Sequence, residues 1–398
     1  MLIPDIADRM KNMNPSAVRE IFKTLGDPTV ISFAGGNPSP ATFPAKELAE
    51  ISAELFRRDP AAFLQYGITE GYSPLRELTF ARMKNKYGIG GDNDDIMIVS
   101  GGQHAIDLAL KCLTNEGDAV VCEDPSFVGA LNDIRSYNTR LIGIPVDNDG
   151  MDIDALERAL ETEKNIKLIY TIPTFHNPTG VTMSLERRKR LYELAVKHNV
   201  IILEDSPYFE IRYSGEDIPC IKSFDTTGHV VFCGSFSKTV APGLRVGFII
   251  ADNSIFPKLV VAKQCVDVHT PVLQQMLIAE YLEKYDMDAH IADCVRIYSA
   301  QRDRMLAGLD SHVGSLVDYT RPDGGLFIWC TLPDGYSGHE FCLMASERKV
   351  ACVPGSAFDP AEWRDKPGVR LNFSMPTLEQ IDAGTAILGE CFRTFIKI

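Results

Sequence analysis

Between residues 96 and 250 the chain holds seven short apolar runs rich in β-branched side chains, at 96–99, 119–122, 140–144, 167–171, 200–204, 230–233 and 246–250. Stretches between them, at 105–113 and 184–198, repeat their apolar residues at helical spacing. Ser184 stands at the N-cap of the second, with Arg187 rather than an acid three residues on. Strands that alternate with helices are joined by crossovers, pair in parallel and are buried on both faces. The alternation therefore restricts this chain to an α/β fold: a large domain with a mostly parallel, seven-stranded sheet between helices.

Beyond the sheet the pattern changes. A helical stretch over 271–309, apolar runs at 326–331 and 369–373, and a last helix from 378 predict a smaller α+β domain. The Pro- and Gly-rich run FAGGNPSP at 33–40 belongs to an N-terminal arm. The expected division is an arm over 1–45 that is part of the small domain, a large domain over 46–285 and a small domain over 286–398. A length of 398 residues, 45% hydrophobic and 24% charged, suits a globular chain of this kind. The net charge of −14 argues against nucleic acid or an anionic membrane surface as partners. No run of 18 apolar residues occurs, and the N-terminus MLIPDIADRMKNMNPS has no signal-peptide core, so a cytoplasmic location is expected. The ten cysteines include no CxxC or zinc-type spacing; the closest pairs, Cys112/Cys122 and Cys342/Cys352, are read as reduced thiols, and no metal is expected.

Chemistry-bearing residues gather where the apolar runs end. Lys238, flanked by Ser235 and Ser237 in GSFSKTVAPGLRVG, follows the run at 230–233, and Arg245 opens the next. Asp205 ends the run in IILEDSPYFE, which also holds Tyr208. Asn177 lies in HNPTG, just past the run at 167–171, and Phe127 follows the run at 119–122. Gly102 and Gln103 open a helix after the run at 96–99, where free amides and a missing side chain make an anion site. Ligand sites in parallel sheets lie beyond such C-terminal strand ends. Alone, each residue has a plain structural reading: solvated cations for Lys238 and Arg245, a turn cap for Asp205, core aromatics for Phe127 and Tyr208.

Taken together and in chain order, GSFSKTVAPGLRVG, HNPTG and EDSPY resemble the fold-type I pyridoxal-phosphate enzymes, specifically the class I/II aminotransferases. The likeness runs from about residue 32 to 374, nearest to the 2-aminoadipate and kynurenine aminotransferases and to the aminotransferase domain of MocR-type regulators. It implies pyridoxal 5'-phosphate as cofactor, with Lys238 as the lysine that forms the Schiff base and later acts as general base. Asp205 matches the carboxylate that pairs with the pyridine nitrogen, and Asn177 and Tyr208 match the groups that bond the phenolic oxygen. Phe127 matches the ring that stacks on the pyridine, while Gly102, Gln103, Ser235, Ser237 and Arg245 match the phosphate cup. Tyr66, in QYGITEGYSPLRE, matches a tyrosine that reaches the neighbouring subunit's phosphate, which implies a homodimer with shared sites. Arg370, in GVRLNFS, matches the arginine that grips the substrate α-carboxylate, and Gly36 a glycine beside the substrate.

The activity implied is transfer of the amino group of an L-amino acid to a 2-oxo acid, 2-oxoglutarate on family grounds, by a ping-pong mechanism. Arg19, in PSAVREIFK, is a candidate for the distal carboxylate of long acidic substrates; a solvated helix residue is its other reading. No residue selects among aminoadipate, aromatic, branched-chain or other donors. Two rivals stay open at this point. A lyase or decarboxylase uses the same cofactor residues, since the reaction depends on which Cα bond stands perpendicular to the ring. A non-catalytic cofactor-binding regulatory module is the other, although the resemblance begins within about the first thirty residues and leaves no room for a preceding DNA-binding domain.

Overall fold

The computed structural model describes residues 5–11, 13, 27, 29–361 and 364–396. Its largest sheet has eight strands in the order Asp94–Val99, Gly247–Asp252, Val230–Ser235, Ile201–Asp205, Ile166–Thr171, Ala119–Asp124, Arg140–Asp147, Gly150–Met151. The five strands from Val230–Ser235 to Arg140–Asp147 pair in parallel. The seven expected strands are all present. The eighth, Gly150–Met151, pairs antiparallel at the edge and is too short to leave a periodic signal. Arg140–Asp147 extends past the apolar run that announced it, because so near the edge its residues are mostly exposed or half-buried and need not be apolar.

Burial on both faces follows the two-residue period of a strand. Val120, Leu168, Tyr170, Leu203 and Val231 pack on one side with Ile106 and Ala109 of the helix Gly102–Leu113. Their neighbours Val121, Ile169, Ile202 and Val230 pack on the other with Leu156 and with Leu191 of Leu185–His198. Ser184 caps that second helix as expected, its Oγ accepting from Arg187 N at 3.3 Å.

Gly247–Asp252 runs antiparallel to both neighbours. No crossover helix separates it from Val230–Ser235, so residues 236–246 turn back across the C-terminal edge of the sheet. That return places Lys238 and Arg245 at the edge where Asp94–Val99 and the parallel strands also end.

The single helix expected over 271–309 is two, Val272–Lys284 and Met287–His312. The break falls at Asp286, whose carboxylate accepts from Asp288 N and Ala289 N at 2.9 and 3.0 Å and so starts a new helix. Tyr298, Met305 and Leu309 of the second helix share a core with Ile381, Leu388 and Phe392 of the last helix, Leu378–Ile396, and with a second sheet. That sheet is antiparallel, in the order Asp318–Tyr319, Phe327–Thr331, Gly368–Asn372, Val353–Pro354. The arm strand Ile31–Ser32 pairs in parallel with Val350–Ala351 and delivers residues 33–37 to the space between the two sheets. Among the described residues, no helix is long and apolar enough to cross a membrane.

Candidate active site

A cavity of about 290 Å³ opens at the C-terminal edge of the large sheet and is walled on its far side by Gly36 of the arm and by Phe327 and Arg370 of the small sheet. It gathers Gly36, Gly102, Gln103, Phe127, Asn177, Asp205, Tyr208, Ser235, Ser237, Lys238, Arg245 and Arg370. Two expected site residues are not among them. Tyr66 is 82% exposed and lies outside this cavity, its ring edge-on to His269 at 5.8 Å. Arg19 lies outside the described residues.

One end of the cavity is built for an anion. The helix Gly102–Leu113 starts there without a side-chain cap, which leaves its first amides free. Gly101 precedes it at φ 85°, and a Cβ at that position would collide with Arg245 Nη2. Arg245 is itself in the left-handed region, at φ 53°, and reaches back to Ser100 O at 3.0 Å and Pro242 O at 3.2 Å. Ser235 and Ser237 complete this end, with Ser237 N donating to Ser235 Oγ at 3.1 Å.

The middle of the cavity is a slot beside the half-buried Phe127 ring, with Asp205 in its wall. Burial pushes the Asp205 carboxyl up to about 6, against the hydrogen bond from Tyr170 and the charge of Lys238. Lys238 Nζ donates to Gly36 O at 2.8 Å. Burial, then the charges of Arg370 and Arg245, bring its ammonium down to about 8. Much of this amine is therefore neutral near pH 8, as a nucleophile or base must be.

Arg370 is 4% exposed, and the partners it makes are neutral. Nη1 donates to Asn177 Oδ1 at 2.9 Å and Nη2 to Ala34 O at 2.7 Å. The guanidinium lies over Phe327 and Phe358, 4.4 and 4.8 Å from their centroids, and its Nε has no partner. Burial lowers it only to about 10, so it stays charged at neutral pH. A buried cation without a counter-charge is costly unless an anion joins it. Gly36 faces the same space; a Cβ there would stand 3.2 Å from Phe327 Cζ.

These features combine an anion cup, a ring slot with a carboxylate, an activated amine and a second cation. The model of the family "Aminotransferase class I and II" matches residues 28–387. The chain belongs to this family. The aminotransferase is 41% identical to aromatic-amino-acid aminotransferase 1 of Thermococcus litoralis, over 98% of this chain and 94% of that one. It superposes on the Pyrococcus horikoshii kynurenine aminotransferase with TM-score 0.95 at 39% identity, covering 99% and 98% of the two chains. On the Thermus thermophilus α-aminoadipate aminotransferase, solved with a phosphopyridoxyl-leucine adduct, the TM-score is 0.91 at 34% identity, with 98% of each chain covered. The aminotransferase uses pyridoxal 5'-phosphate, and the cavity suits it: the cup can take the phosphate, Phe127 and Asp205 can border the ring, and Lys238 can reach its aldehyde carbon.

Sequence reasoning missed Tyr170, whose hydroxyl donates to Asp205 Oδ2 at 2.8 Å from the neighbouring strand. Within an apolar run a tyrosine reads as core. Only strand register, absent from a local pattern, brings the two together.

Proposed function

We propose that the aminotransferase moves the amino group of an L-amino acid to 2-oxoglutarate in two half-reactions at one site, a ping-pong sequence. The names of its relatives make aromatic amino acids, kynurenine and aminoadipate the donors to try first. The observation that carries the reading is the convergence of Lys238, Asp205 and Arg370 on one cavity.

Pyridoxal phosphate, when bound, supplies an electron sink for the charge left as the substrate Cα loses its proton. Asp205 holds the proton on the pyridine nitrogen. Asn177 Oδ1 is already taken by Arg370, so its Nδ2 is the atom left to donate to the phenolic oxygen, alongside Tyr208. Gly102, Gln103, Ser235, Ser237 and Arg245 bind the phosphate, and Phe127 stacks on the ring. Lys238 would anchor the cofactor, and its amine would move the Cα proton. Arg370 takes the α-carboxylate in both half-reactions, and Gly36 leaves room for the substrate.

The active form is a homodimer in this reading. Leu64, Tyr66 and Ile68 are 74%, 82% and 54% exposed, and Val266 and Val268, next to the Tyr66 partner His269, are 47% and 49% exposed. Such an exposed apolar stretch suits a second copy, whose cup Tyr66 would reach. The test is a panel of L-amino acids with 2-oxoglutarate and purified protein, with glutamate measured. Glutamate formed from aromatic or aminoadipate donors supports the proposal; turnover that needs no 2-oxo acid contradicts it.

A further inference from the structure

Asp205 is 4% exposed and its carboxylate is held by a donor that carries no charge. The Tyr170 hydroxyl donates to Oδ2 at 2.8 Å, while the Cys233 thiol beside it donates to Gly102 O at 3.7 Å. Sheet register explains both. Tyr170 pairs with Leu203, two residues before Asp205, so alternation puts Tyr170 and Asp205 on one face as diagonal neighbours. Cys233 pairs with Asp205 directly. The other oxygen, Oδ1, lies 3.9 Å from where a Cβ on Gly102 would stand, and both residues line the cavity.

We infer that Tyr170 is a positioning residue of the aminotransferase: its hydroxyl fixes Oδ2 of Asp205 so that Oδ1 is presented to the cofactor's pyridine nitrogen. The inference rests on the proposed pairing of Asp205 with that nitrogen. A neutral donor suits this place. A cation behind the carboxylate would cancel the charge needed at the pyridine, and an apolar side chain would leave Oδ2 buried and unpaired. Tyr170 does not compete for the proton, because burial and Asp205 push its phenol well above the ordinary 10.0. The other ionisable groups facing Asp205 are Lys238 from the return loop, Glu123 from the strand Ala119–Asp124, and Tyr208 from the segment after Asp205. The donor that Oδ2 takes is the Tyr170 hydroxyl.

Holoenzymes carrying Tyr170→Phe, Asp205→Asn and both changes test this. Tyr170→Phe deletes one oxygen and keeps the packed ring. Its kcat is expected to fall about ten- to hundredfold, the worth of one hydrogen bond to a charged group, with KM changed by less than about threefold. The pH midpoint of the bound cofactor's visible absorbance should move in the same direction as in Asp205→Asn, by less, and Tyr170→Phe should add nothing in the Asp205→Asn background. A Tyr170→Phe enzyme with wild-type kcat and midpoint overturns the inference, as does an equal loss in both backgrounds. An Asp205→Asn enzyme with wild-type rate and midpoint overturns the Asp205 reading itself, and this inference with it. If Tyr170→Phe fails to fold, 3-fluorotyrosine at 170, a stronger donor of similar shape, should move the midpoint the opposite way; an unmoved midpoint there also overturns the inference.

Discussion

Arg370 Nη1 donates to Asn177 Oδ1 at 2.9 Å, and this bond joins the small antiparallel sheet to a loop at the edge of the large one. The two side chains come from residues almost two hundred positions apart. The bond fixes which way the Asn177 amide points, and the buried Nε of the guanidinium has no partner.

Arg370→Lys keeps the charge and loses the planar fork. KM for the amino acid and for the 2-oxo acid should both rise, by about tenfold or more, with a smaller change in kcat. Steady-state kinetics with each substrate varied in turn checks this. A change confined to one substrate would count against a shared carboxylate site.

Cofactor uptake should follow the neutral form of Lys238. Its ammonium titrates at about 8 rather than the ordinary 10.5, so the neutral amine grows as pH rises through 8. The rate at which the cofactor-free chain takes up pyridoxal phosphate, followed by absorbance, should climb between pH 7 and about 9 and then level. A rate still climbing steeply near pH 10.5 would mean the amine is not perturbed.

How much of this was legible in the sequence depended on the range of the interaction. Six of the long strands announced themselves because strands buried on both faces are apolar almost throughout, and Arg140–Asp147, nearer the edge, through the apolar run at its start. Lys238, Asp205, Asn177, Phe127 and Gly102 were legible because they follow or end strands whose sequence departs from that requirement, whereas Arg370, in mid-strand, and Gly36, in the arm, were legible only through the family resemblance. Gly150–Met151 and the break at Asp286 were not, since two residues carry no period and one cap does not disturb the apolar repeat around it. Tyr170 stayed hidden for a different reason: its role depends on which residue lies diagonally across the next strand.

Glu123 offers a stability test. It is 2% exposed, its Oε1 accepts from Ile172 N at 3.0 Å and from the Thr171 hydroxyl, and its Oε2 has no partner, 3.8 Å from His176 Nε2. Burial raises its carboxyl from 4.5 to about 7. Between those values the folded chain holds a proton that the unfolded chain has lost, so this group's contribution to stability falls as pH rises, by up to about 3 kcal/mol. Glu123→Gln carries no such term. Thermal midpoints of variant and wild type should differ little at pH 5 and separate in the variant's favour at pH 8; a constant separation contradicts the assignment.

Tyr66→Phe should weaken cofactor binding if its hydroxyl reaches the partner's phosphate. Mixing it with Lys238→Ala under conditions that exchange subunits should restore activity above the sum of the two, because one of the two sites in each mixed dimer regains both residues. Activity equal to that sum would place Tyr66 outside the site.

Lys238 is the residue proposed to carry the cofactor. Borohydride reduction of the holoenzyme, followed by digestion and peptide mass spectrometry, tests it directly. The phosphopyridoxyl mass is expected on the peptide that contains Lys238, and its loss is expected in Lys238→Ala. The same mass on another lysine, such as the buried Lys263, with Lys238 unmodified, would contradict it.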